Sequence, residues 1–269
     1  MSDFREPAKK RFGQHFLHDT HVIERIIRAL APKPGDHVVE IGPGRGALTL
    51  PLLRRHGSLT AIEFDRDLIA PLRAAAAPLG TLELIVADVL KVDFTALAAG
   101  GTLRLVGNLP YNISSPILFH ALAHAGAIAD MHFMLQKEVV ERMASGPGNK
   151  VYGRLSVMLQ ALCEVTPLFT IGPGAFQPPP KVDSAVVRLV PKPPAAIGID
   201  DRDMFARVVH DAFGQRRKTL RNALSNVCDA AALERAGIRP DLRAEQLPVP
   251  AFVALANQLA HDRMHDRTL

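Results

Sequence analysis

The residues with the clearest chemical potential in this chain sit where short apolar runs end. Residues 38–46 read VVEIGPGRG. An apolar run followed by Gly42-x-Gly44-x-Gly46 predicts a strand, a tight turn and a helix, a geometry that brings a ligand close to backbone N–H groups. A dinucleotide fingerprint is GxGxxG, whereas the spacing here is GxGxG, and Glu40 lies two residues before the first glycine. That acid opposes a docked pyrophosphate and suits a cation such as a sulfonium or an amino group. Both features disfavour an NAD-dependent oxidoreductase. Glu63 closes the run LTAIE, and Asp88 closes LELIVAD. A carboxylate at the end of the second strand accepts hydrogen bonds from ribose hydroxyls, and one at the end of the third can accept from an adenine amino group. Each acid alone reads as a solvated cap. On consecutive strand ends they outline a nucleoside pocket, and the ligand that joins a nucleoside to a cation is S-adenosylmethionine.

A fourth run ends in Gly107-Asn108-Leu109-Pro110-Tyr111. The Asn108 side-chain oxygen and a neighbouring backbone carbonyl can accept both hydrogens of a planar exocyclic amine. This shifts the nitrogen towards a tetrahedral, nucleophilic form without a strong general base. The Tyr111 ring can stack on a base. A simpler reading of the same residues is an Asn-Pro turn closed by a core tyrosine. Phe176 precedes Gln177-Pro178-Pro179-Pro180, a segment stiffened by its prolines. It reads either as a second stacking face or as an anchor of the loop in the core.

These positions need a scaffold. Apolar runs at 37–41, 59–63, 82–86 and 103–107 read as buried parallel strands, with helices expected over 46–55, 66–77 and 116–125. Further strands are expected at 131–137, 165–171 and 184–190, and an early helix over 20–30 with Thr20 as its N-cap. Alternating strands and helices predict a doubly wound α/β sheet. The stretch PKPPAAIGI at 191–199 reads as a linker. Beyond it the pattern is helical only, over 203–213, 216–226, 229–236, 241–246 and 249–261. The expected organisation is an α/β domain over 1–192 and a small all-helical domain over 200–269.

Composition narrows the classes further. Hydrophobic residues make up 48% and charged residues 22% of the 269 residues, so a disordered chain is excluded. No apolar stretch approaches about 18 residues, and the N-terminus has no signal-like apolar segment, so a cytoplasmic protein without membrane contact is expected. The two cysteines, Cys163 and Cys228, show no CxxC spacing, and the 11 histidines show no ligand spacing, so no metal is expected. The 32 Lys and Arg exceed the 27 Asp and Glu by a formal charge of +5. Part of the excess is local. Lys9, Lys10 and Arg11 form one acid-free run, and Arg216, Arg217, Lys218 and Arg221 form another. On a helix, Arg217 and Arg221 would share a face.

Taken together, the chain resembles the 16S ribosomal RNA adenine-N6 dimethyltransferases. The similarity covers nearly its whole length: KKRFGQHFL at 9–17, VVEIGPGRGALT at 38–49, AIEFDRDL at 61–68, ADVLKVDF at 87–94, VGNLPYNISSPIL at 106–118, FQPPPKVDSAV at 176–186 and FGQRRKTLRNAL at 213–224. The resemblance implies a class I methyltransferase, Rossmann-like seven-stranded sheet with a small C-terminal all-helical domain. It implies that His15, Leu17, Gly42, Gly44, Glu63, Asp88 and Asn108 bind S-adenosylmethionine. Asn108 and Pro110 would orient the target amine, and Tyr111 and Phe176 would hold a flipped adenine. Arg216, Arg217, Lys218 and Arg221 would contact phosphates. The implied reaction places two methyls on each of two adjacent adenines in a 3′-terminal loop of 16S rRNA within the small ribosomal subunit, with a role in its biogenesis, by a monomer. Where the family often has Asn, this chain has His15. The alternatives are a large-subunit adenine-N6 methyltransferase of the macrolide-resistance type and a non-catalytic ribosome assembly factor.

Overall fold

The structure is a computed structural model that describes residues 15–215 and 217–266. The chain divides into two compact units. The first comprises residues up to Val140 together with Thr166–Pro191, and the second comprises Glu141–Val165 together with Lys192 onwards. The sequence predicted a single break between 192 and 200. The helical unit instead also takes in a segment inserted between two strands.

The first unit is built on β1 (Phe16–Leu17), α1 (Thr20–Leu30), β2 (His37–Ile41), α2 (Thr49–His56), β3 (Ser58–Glu63), α3 (Arg66–Ala76), β4 (Thr81–Val86), α4 (Phe94–Ala98), β5 (Leu103–Asn108), α5 (Ser114–Ala123) and β6 (Ile128–Gln136). After α6 (Lys137–Ala144) and α7 (Arg154–Leu162) come β7 (Cys163–Ile171), β8 (Phe176–Gln177) and β9 (Ser184–Pro191). The main sheet has seven strands in the order β4-β3-β2-β5-β6-β9-β7. From β4 to β6 the pairings are parallel, and β9 runs antiparallel to β6. The central strands are buried on both faces, which is why they read as unbroken apolar runs. The chain moves outward from β2 to β3 and β4, then returns to β5 on the other side of β2. That reversal opens a crevice at the C-terminal ends of β2 and β5. Gly107 permits the close approach there, because a Cβ at this position would collide with the Ile41 carbonyl.

α1 buries Val22, Ile23, Ile26, Ile27 and Leu30, an apolar face at helical spacing. Its N-cap is Asp19, not Thr20. The Asp19 backbone is extended, and its carboxylate accepts from the N–H groups of His21 and Val22 at 2.9 and 3.1 Å. At the other end, the Arg104 guanidinium on β5 donates to the carbonyls of Leu30 and Ala31, which α1 leaves unpaired. The same guanidinium forms a two-bond pair with Asp130 at 2.9 and 2.8 Å and meets Asp36 at 2.7 Å.

In the second unit, α7 packs with α9 (Arg202–Gly214) and α12 (Val249–Asp266). Phe205, Val208, Phe252 and Leu255 are fully buried there. Tyr152 is buried with its hydroxyl donating to the Leu247 carbonyl at 2.9 Å. The expected linker contains a short helix, α8 (Pro194–Ile197). The expected helix over 216–226 is only α10 (Leu220–Ala223), followed by α11 (Ala230–Arg235). Arg217 therefore lies in the turn before α10 while Arg221 lies within it, and the expected single helical face carrying both does not form.

Candidate functional site

At the C-terminal ends of β2, β3 and β5 lies a cavity of about 330 Å³, a volume suited to a small ligand. His15, Leu17, Gly42, Gly44, Glu63, Asp88, Asn108, Pro110 and Tyr111 all line it. These residues span almost a hundred positions of sequence, and the switch in strand order brings them together.

On one side are the glycine turn and the acids. Gly44 has φ +56°, and a Cβ there would press on the Phe16 ring at 3.2 Å. Its N–H donates to Glu63 Oε2 at 3.1 Å, while the Asp65 N–H donates to Oε1 at 2.8 Å. Burial raises the Glu63 pKa, and these N–H bonds oppose the rise. The Phe64 N–H bonds the same carboxylate, so of its roughly four lone-pair sites one stays free for a further donor such as a ribose hydroxyl. Asp88 accepts from the Leu90 N–H at 3.0 Å through one oxygen, leaving the other available. Glu40 is 2% exposed and accepts from Thr49 Oγ1 at 2.6 Å. Burial pushes its pKa up to about 8, the Thr49 bond opposes the rise, and the nearby Glu63 charge adds to it. An acid this desolvated ionises readily only beside a cation.

Opposite stands the Asn-Leu-Pro-Tyr turn. Asn108 Nδ2 donates to the His15 carbonyl at 2.9 Å, which fixes the amide and leaves Oδ1 as an acceptor. The Tyr111 hydroxyl pairs with Ser184 Oγ at 2.7 Å, and burial raises its pKa against that bond. Its ring lies against the His15 imidazole, with centroids 5.7 Å apart and planes inclined by 27°. The segment carrying His15 is held by β1 pairing antiparallel with β8, by His18 N–H on the Ala175 carbonyl at 2.9 Å, and by His15 Nδ1 on the Pro178 carbonyl at 2.8 Å.

Phe176 falls on the other side of its two sequence readings. It is 2% exposed, packs in the core beneath β1, and is absent from the cavity lining. Phe16, Arg45 and Phe64 also line the cavity and carried no expectation. Phe16 lies under the Arg45 guanidinium at 4.2 Å, and Phe64 is 60% exposed beside Glu63. An aromatic directly after a strand-end acid was the available signal for Phe64; the Phe16–Arg45 contact had none. Arg217, Lys218 and Arg221 are exposed and have no acidic partner among the described residues. Arg216, Lys9, Lys10 and Arg11 lie outside the described residues.

This arrangement has known counterparts. The family model for ribosomal RNA adenine dimethylase matches residues 5–261. The chain is 71% identical over 256 residues to "Ribosomal RNA small subunit methyltransferase A" of Xanthomonas campestris pv. campestris (strain 8004), covering 95% of this chain and 98% of the relative. It is 70% identical, with the same coverage, to the protein of that name from Xanthomonas oryzae pv. oryzae (strain PXO99A). Among solved structures, a dimethyladenosine transferase from Plasmodium falciparum superposes with a TM-score of 0.81 at 26% identity, covering 93% of this chain and 98% of that one. The 23S rRNA methyltransferase ErmE does so with a TM-score of 0.67 at 27% identity, covering 91% and 99%. The fold is that of a class I methyltransferase, and the chain belongs to the ribosomal RNA adenine dimethylase family.

Proposed function

We propose that this chain transfers methyl groups from S-adenosylmethionine to the N6 amines of two adjacent adenines, dimethylating each, in a 3′-terminal loop of 16S rRNA within the small ribosomal subunit, and so takes part in subunit biogenesis. The observation that carries the chemistry is the shared cavity, where a nucleoside- and cation-suited acidic half meets the Asn108–Tyr111 rim. The relatives named small subunit methyltransferase A favour the small-subunit substrate over the 23S substrate of ErmE.

The residues divide the work. Glu63 would receive a ribose hydroxyl and Asp88 the adenine amine of the donor, with Gly42, Gly44 and Leu17 walling the rest. S-adenosylmethionine supplies an electrophilic methyl group on a sulfonium. Asn108 Oδ1 and an adjacent carbonyl at Pro110 would accept the two hydrogens of the target amine, freeing its lone pair for in-line attack. Tyr111 would stack on the flipped base, since a base-modifying enzyme must take its target out of the stack. The helical unit would grip phosphates through Arg216, Arg217, Lys218 and Arg221.

The test is to incubate the protein with labelled S-adenosylmethionine and small subunits from cells lacking this methylation, then map the label by nuclease digestion and mass spectrometry. Dimethyladenosine at two adjacent positions of small-subunit rRNA is the expected product. Label confined to large-subunit rRNA in a parallel reaction would move the chain to the ErmE type. Label on neither would overturn the catalytic reading.

A further inference from the structure

Away from the cavity, the first unit carries a groove of about 430 Å³ between α1 and α2. Ile23 and Ile27 of α1 and Pro51 of α2 form its floor, and Glu24, Arg54 and Arg55 stand at its margins. The two helices hold four arginines against one acid. Arg25 is occupied, with its guanidinium 3.9 Å above the Phe169 ring. Arg28, one turn beyond Glu24 on α1, and Arg54 are exposed and have no acidic partner among the described residues. Arg55 meets Glu24 at 3.7 Å, with both side chains more than half exposed. A pair so open to water contributes little, so Arg55 can turn to a stronger partner at small cost.

The lining decides what that partner is. A protein surface gains most by burying apolar area, and the floor has almost none to give: Ile23 is 7% and Ile27 1% exposed, both already packed in the core. No aromatic ring lines the groove, so it offers no platform for a base. It offers guanidinium groups, whose fork matches a phosphate. We propose that the α1–α2 face, through Arg28, Arg54 and Arg55, is a second phosphate-binding surface, which holds the backbone of small-subunit rRNA in addition to the cations around α10. The proposal rests on the rRNA-methylating reading above and extends RNA contact to the first unit. Its position suits the role. Thr20 at one end of the groove follows cavity-lining Leu17 by three residues, at most about 11 Å of chain. Contacts of this kind fix the placement of the RNA without reading its sequence.

The test replaces Arg54 and Arg55 together in the full-length protein, once with Ala and once with Lys. Binding would be titrated at several salt concentrations against unmethylated small subunits and against protein-free 16S rRNA. Two lost phosphate contacts should flatten the slope of log affinity against log salt by between about one and two units. Because the electrostatic part vanishes near 1 M salt, that change corresponds to roughly ten- to a hundred-fold weaker binding at 0.1 M. The Ala variant is expected to show this loss on both RNA targets, while its methylation rate at saturating subunit and its affinity for S-adenosylmethionine stay within about two-fold of wild type. The Lys variant, which keeps the charge, is expected to recover most of the slope. An unchanged slope in the Ala variant would overturn the proposal. So would a loss seen with subunits but not with protein-free rRNA, which would assign the groove to a ribosomal protein. A Lys variant no better than Ala, or a saturated rate that falls with affinity, would show that the arginines act on helix packing or on the cavity instead. A wild-type protein that binds subunits but labels none would overturn the functional reading, and the slope comparison would still decide the phosphate surface.

Discussion

A carboxyl group buried beside a second carboxylate keeps its proton until a cation arrives. Glu40 is such a group: burial, with Glu63 nearby, pushes its pKa up to about 8, so most of it is protonated at pH 7. A cationic donor favours the ionised form and lowers this pKa, so binding expels a proton. Donor affinity should therefore rise with pH up to about 8 and level off above it. Calorimetry at pH 7 in two buffers of different ionisation enthalpy would show proton release in wild type and none in Glu40→Gln; release that persists in the variant would point to another group. This acid was visible in the sequence because it broke the dinucleotide pattern. Glu63 and Asp88 were visible because each closes an apolar run. For Phe176 the sequence left two readings open, because its burial depends on β1 pairing with β8 across some 160 residues and nothing local to FQPPP decides for the core anchor over the stacking face.

Elements that show an unbroken apolar run or a regular apolar face were the most legible. β2 spans 37–41, the same bounds as its apolar run, and α1 spans 20–30 as its period requires. Caps were less so: Asp19 and Thr20 are both capping types, and the backbone turn at Asp19 decides between them. α7 was missed because Gly146-Pro147-Gly148 before it reads as a loop and its nine residues are brief. The join between α1 and the sheet also has an energetic signature. His132 on β6 is 1% exposed, and burial lowers its pKa, with the Asp130 charge opposing and Arg104 and Arg188 assisting. The folded state thus refuses a proton that the unfolded chain accepts below about pH 6.5. Stability from this residue is complete above that pH and is lost as pH falls towards the folded pKa, by about 1.4 kcal/mol for each unit of separation. Melting curves from pH 7 to 4.5 should show a steeper acid loss in wild type than in His132→Met. Parallel curves would mean that His132 is already paired or hydrated. The raised acids Glu40 and Glu63 act in the opposite direction but cancel in the comparison.

At the scale of the whole chain, the formal charge of +5 is too small to hold RNA by itself, so distribution matters more than total. Arg217, Lys218 and Arg221 concentrate exposed cations around the start of α10 without acidic partners among the described residues. Because α10 is short, these side chains leave from a turn and a single helical turn rather than from one straight face, an arrangement fitted to phosphates that do not lie in a line. Their contribution is separable from chemistry. Each phosphate neutralised adds about 0.7–0.9 to the slope of log affinity against log salt. Replacing Arg217 and Arg221 with Ala should therefore weaken binding to small subunits at low salt and flatten that slope by between about one and two units. Methylation at saturating subunit should persist, since neither residue lines the cavity. Binding titrations at several salt concentrations, paired with single-turnover labelling, would read both quantities. A slope unchanged in the double variant would assign the RNA contact to other cations of the chain, and a collapse of the saturated rate would show that these residues position the target as well as hold it.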